Sequence, residues 1–82
     1  MFKHKAADGS RNLCGKKVAQ LRKALVPKVS QRALAEQFQV YGVDVDKTAI
    51  KRIENGERYV TDIELKILCD IFRVPSAYFL ED

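Results

Sequence analysis

The stretch Ser30-Gln31-Arg32-Ala33-Leu34-Ala35-Glu36-Gln37-Phe38, a linker Gln39-Val40-Tyr41-Gly42-Val43-Asp44-Val45, and then Asp46-Lys47-Thr48-Ala49-Ile50-Lys51-Arg52-Ile53-Glu54-Asn55-Gly56 decides the fold. It reads as two short amphipathic helices joined by a turn. Ser30 is placed to cap the first, because its hydroxyl can accept one of the free N–H groups of an opening turn. Leu34 and Phe38 share a face, and the small Ala35 beside them lets another helix approach closely. Asp46 caps the second helix and Asn55-Gly56 stops it, with Val45 and Ile50 at the spacing of a hydrophobic staple. Ala49, Ile50 and Ile53 supply its core face. Lys47, Thr48, Lys51 and Arg52 fill the opposite face. The alternation Tyr41, Val43, Val45 resembles a short strand, but no second strand segment exists to pair with it, so the linker reads as a loop.

Working outward, Cys14, Val18, Leu21 and Leu25 recur at helical spacing and predict a helix over Leu13–Leu25, capped by Asn12 and ended by Pro27. Lys16, Lys17, Gln20, Arg22 and Lys23 occupy its polar side. On the other flank, Thr61-Asp62-Ile63-Glu64 has the pattern of a capping box. It opens the most apolar segment, in which Ile67, Leu68, Ile71 and Phe72 form the expected core face before Pro75. A final turn, Ser76-Ala77-Tyr78-Phe79-Leu80, is expected to lay Phe79 and Leu80 back on the core. The fold class that follows is all-α, a compact bundle of four short helices and a closing turn over residues 12–82. Residues 1–11 lack apolar periodicity, carry Lys3, His4 and Lys5, and read as a flexible basic arm.

Eighty-two residues bound the chain to a single domain, and no separate small-molecule sensing module is expected. With 46% hydrophobic and 32% charged residues, the composition is globular rather than disordered. There is no apolar run of membrane-spanning length and no secretion signal, so a cytoplasmic, membrane-free protein is expected. Cys14 and Cys69 belong to no C-x-x-C pair and read as core thiols; with His4 they offer too few ligands for zinc. Neither a metal nor another cofactor is expected. The sequence also lacks a nucleophile–histidine constellation and a glycine-rich phosphate loop, which argues against an enzyme. The net charge of +4 is unevenly spread, with eight Lys or Arg against one acid before Ser30 and two against five after Arg58. A basic front of this kind suits an anionic polymer.

Taken in order, Cys14-Gly15-x-x-Val18-x-x-Leu21-Arg22, Ser30-Gln31-x-x-Leu34-Ala35, Thr48-Ala49-Ile50-x-Arg52-Ile53-Glu54-Asn55-Gly56 and Leu68 to Val74 with Phe79-Leu80 resemble the lambda-repressor-like (Xre/Cro-type) helix-turn-helix family. The resemblance implies a compact bundle of five short helices and a transcriptional regulator, a repressor in the first instance, whose third helix enters the major groove of double-stranded DNA. It places Lys47, Thr48 and Arg52 at base-facing positions with Lys51 beside them. The chemistry suits them, since Arg52 can donate two parallel N–H groups to guanine and Thr48 can meet a base edge or a thymine methyl. It also implies a phosphate contact from Gln31 and a bridge from Arg22 to Glu54 between the first and third helices. Lys16, Lys17 and Arg58 join Gln31 as expected phosphate contacts. Relatives pair on two half-sites, which implies a homodimer, with the exposed part of helix four, helix five or the loop around Tyr41 as candidate surfaces. The sequence departs from the family pattern in a connection between Leu34-Ala35 and Ile50 that is about five residues longer than usual, against the short turn of the motif. Either a loop at Val43–Asp46 or an extra turn on helix two accommodates it. The alternative is an interaction module on the same fold, antitoxin-like or phage-regulatory, docking through Tyr78-Phe79-Leu80-Glu81-Asp82.

Overall fold

The computed structural model describes residues 9–81. Within them the chain forms α1 (Gly15–Ala24), α2 (Gln31–Val40), α3 (Lys47–Glu54), α4 (Asp62–Phe72) and α5 (Ser76–Leu80). The fold is the all-α bundle expected. Local chemistry sets three of the starts. The Ser30 hydroxyl accepts the Ala33 N–H at 3.0 Å, and the Asp46 carboxylate accepts that of Ala49 at 2.8 Å. Thr61 and Glu64 close a full capping box, each side chain accepting from the other's backbone N–H.

α1 is shorter than its apolar spacing predicts. It ends at Ala24 with Leu25 already extended and 39% exposed, because the residue before Pro27 is driven out of the helical region and the chain unwinds ahead of it. At its start Cys14 is the cap position and makes no side-chain cap bond. Asn12 acts from two places further back, its Oδ1 accepting the Gly15 N–H at 2.7 Å. α2 runs two residues past Phe38, and Gly42, with φ +83°, turns the chain into a loop through Val43 to Asp46. The long connection thus uses both an extended helix and a loop.

The core is built on Phe38, Phe79, Leu34, Ile50, Ile53 and Leu68, all essentially inaccessible. α3 packs against α2 and α1, and α4 against α2 and α5. In α4 the buried apolar positions are Leu65, Ile67 and Leu68, with Glu64 buried beside them, while Ile71 and Phe72 are only half-buried. The core face therefore lies nearer the N-terminal end than the apolar pattern suggests, because α5 folds back and Phe79 fills the space, meeting the Phe72 ring edge-on at 6.5 Å. Val45 and Val60, both in connections, are buried as well. Cys14 is buried and Cys69 half-buried, both as free thiols. Burial pushes the Cys14 thiol up to about 11, far from the thiolate form that reacts or binds metal.

Most of the arm expected over residues 1–11, His4 included, lies outside the described residues. Ser10 and Arg11 are held against the domain. The Arg11 N–H donates to the Gly56 carbonyl at 2.8 Å, its guanidinium lies 5.7 Å from the centre of the Tyr59 ring, and the Ser10 hydroxyl donates to the Asn12 carbonyl.

Candidate nucleic-acid interface

α3 is amphipathic in a way that divides its work. Ile50 and Ile53 are 1% exposed, whereas Lys47, Thr48, Lys51 and Arg52 all stand in solvent. Among the described residues none of these four side chains makes a hydrogen bond or ion pair. Three cations and a hydroxyl on one two-turn helix are thus left for an external partner.

The other end of α3 is held firmly. Arg22 of α1 pairs bidentately with Glu54, Nε to Oε2 at 2.7 Å and Nη2 to Oε1 at 2.9 Å, and its remaining Nη1 donates to the Val29 carbonyl. Gln31, the first residue of α2, donates to the same Glu54 Oε1 at 3.0 Å. The bridge implied by the resemblance is formed, and a third helix joins it. Burial works to raise the Glu54 pKa, but the donors from Arg22 and Gln31 together outweigh it and hold the carboxyl below its ordinary value. The Glu54 hydrogen bond correspondingly holds the Arg22 guanidinium above its own.

A second tie reaches α3 from the segment before α1. The Asn12 side chain is buried, and its Nδ2 donates to the Ile53 carbonyl at 3.1 Å and to the Arg58 carbonyl at 2.7 Å. Gly15 makes the approach possible, since a Cβ there would stand 2.2 Å from the Ile53 carbonyl oxygen. Sequence reading found Asn12 only as a cap; its partners, more than forty residues away, leave no local signal.

The expected phosphate contacts are placed differently from one another. Lys16 is exposed on α1. The Lys17 ammonium donates to the Tyr78 and Glu81 carbonyls at the end of α5 and lies 5.2 Å from the Tyr78 ring centre, so it is occupied where the chain closes. Gln31 is occupied by Glu54. Arg58 pairs bidentately with Glu64, at 2.8 and 2.9 Å, with the Glu64 side chain 6% exposed. Burial works against the Glu64 charge, and the Arg58 and Thr61 donors overcome it, keeping the carboxyl below its usual value. Beyond α3, the N–H groups of Asn55, Gly56 and Glu57 are all taken by carbonyls of residues 51–53, which removes them as a phosphate cradle.

Two helices crossing at a turn, the second with a clear polar face and an anchored far end, define a helix-turn-helix protein. A helix-turn-helix family model matches residues 18–79, and the chain belongs to this lambda-repressor/Xre-like family of DNA-binding transcription regulators. No curated protein and no solved structure matches it. Among the described residues, no helix is long and apolar enough to cross a membrane.

Proposed function

We propose that the chain is a sequence-specific regulator, acting as a repressor, that reads the major groove with α3. The observation that carries this is the contrast within α3, four uncommitted side chains on the solvent face and a far end tied through Glu54 and the Ile53 carbonyl to α1, α2 and Asn12. Lys47, Thr48, Lys51 and Arg52 read base edges, Arg52 by a bidentate contact to guanine. Lys16 and the opening turn of α2 around Gln31 meet phosphates, which position without specifying. Lys17, whose ammonium donates to neutral carbonyls, adds to phosphate attraction through its charge, whereas the charge of Arg58 is balanced by Glu64 and its expected phosphate contact would require that pair to open. The chain does no catalysis in this reading and binds paired half-sites as a homodimer.

Selection of bound duplexes from a random pool, followed by titration of the winner, tests it. Lys51→Ala combined with Arg52→Ala should weaken binding to the selected site by more than about tenfold, as loss of a bidentate base contact requires. Binding should also weaken steeply with salt. An affinity within about twofold of the unmodified chain would remove α3 as the reader, since base contacts of this type carry more than that.

A further inference from the structure

α4 carries a face that the bundle does not use. Ile63 is 62% exposed, and Lys66, Asp70 and Arg73 are exposed on the same stripe, at spacings of three, four and three residues. Among the described residues the side chains of Lys66, Asp70 and Arg73 form no hydrogen bond or ion pair, not even Lys66 with Asp70 one turn away. Arg73 also breaks a local rule. It is the C-cap of α4 at φ 57° and ψ 47°, a left-handed conformation that glycine adopts without strain and a branched-off Cβ resists.

The order of these residues has a symmetry. Positions 63 and 73, and positions 66 and 70, are equally spaced about Leu68. Turned end for end on a second copy, the stripe sets Lys66 against Asp70 twice and lays Ile63 along the aliphatic stem of Arg73 twice. Antiparallel packing also opposes the two helix dipoles. We infer that this stripe is a twofold contact between two copies of the chain, with α4 of one antiparallel to α4 of its partner. The inference rests on the reading of the chain as a regulator on paired half-sites and adds the surface that joins the pair. A contact is isologous when each residue meets its complement under the twofold, and this face meets that condition.

The contact is weak in free solution. One helix of about 16 Å covers far less than the roughly 800 Å² per partner of a standard interface, and exposed ion pairs add little. DNA that holds two copies side by side raises their effective concentration and completes the pairing.

Charge reversal tests this on the full chain, by sedimentation equilibrium at low salt up to about 1 mM, where millimolar affinities become measurable. Lys66→Asp alone and Asp70→Lys alone each place like charges opposite one another twice and should raise the dimer dissociation constant at least about tenfold. An equimolar mixture of the two variants restores both pairs across the interface, and so does the chain carrying both changes. Each should return to within about threefold of the unmodified chain, within the scatter of exposed pairs. Circular dichroism of each variant establishes that loss of association is not loss of fold. Single variants that associate normally, a mixture no better than its components, or an unmodified chain that stays monomeric throughout would each overturn the contact. The α3 titration above reads the DNA-binding function separately, so a failed α4 contact with intact site selectivity removes the dimer surface and leaves the reader in place.

Discussion

Replacement of Gly15 by alanine sets two physical effects against each other. Helix propensity alone favours the change by up to about 1 kcal/mol, because alanine gives up less backbone freedom on folding than glycine. The packing opposes it. The added Cβ would lie 2.2 Å from the Ile53 carbonyl oxygen, 3.0 Å from Asn12 Oδ1 and 3.1 Å from the Glu54 carbonyl. A carbon sits comfortably on a carbonyl oxygen at about 3.3 Å, so α1 and the end of α3 must part by about 1 Å. The obstructing atom is backbone, and the same oxygen already accepts from Asn12 and from the Gly56 N–H, which leaves no flexible group to swing aside. Overpacking of this kind costs about 1–3 kcal/mol. With the upper half of that range applying to a rigid obstacle, a net loss of about 1–2 kcal/mol remains after the propensity gain. For a domain of this size the melting temperature should fall by roughly 5–15 °C. Urea and thermal denaturation of Gly15→Ala against the unmodified chain provide the measurement. A variant of equal or greater stability would refute the close approach of α1 to α3, since propensity would then be the only effect in play.

Other outcomes follow from the same contacts. Asn12→Ala strands the Arg58 carbonyl and the Gly15 N–H and should cost about 2–4 kcal/mol, the sum expected for buried groups left without partners; denaturant titration reads it. Acid should destabilise the fold through Glu54 and Glu64, whose folded pKa values lie below the ordinary one. Their contribution is complete above the unfolded carboxyl value of about 4.3 and is lost as pH falls through the lower folded values. Melting temperature followed from pH 7 to pH 2 should therefore hold until about pH 5 and then drop, and Glu54→Gln should flatten part of that drop. Arg52→Ala should relax base preference at one position of the selected site by about 1–3 kcal/mol, whereas Lys16→Ala should weaken all duplexes alike and lower the salt slope by about one; competition binding with single-base variants separates the two.

What could be read in the sequence is what local chemistry controls. The caps at Ser30, Asp46 and Thr61 with Glu64 were legible because each acts over three residues of its own helix. The two faces of α3 were legible from periodicity, and the Arg22–Glu54 pair from the family resemblance. Leu25 was misplaced because an apolar residue in phase with a helix says nothing about whether the helix reaches it. Val45 and Val60 are buried without any period, since their cover comes from other elements. Arg58 pairs with Glu64 across a non-helical corner, and Lys17 finds its carbonyls only because α5 returns to α1. In each case the partner is chosen by tertiary structure, and an exposed cation and an engaged one look the same in the chain.

The meeting of Arg22, Gln31 and Glu54 bears on the long connection between α2 and α3. A turn is usually credited with aiming the helix that follows it. Here a carboxylate at the far end of α3 holds α1 and the first residue of α2 at once, while Val45 and Ile50 seat the near end. α3 behaves like a door fixed at both hinge and latch. The frame fixes its angle, and the exposed stretch 40–42 has only to span the gap. Residues can be gained or lost there without re-aiming the helix, so the length of this turn can vary while the polar face of α3 stays where it is.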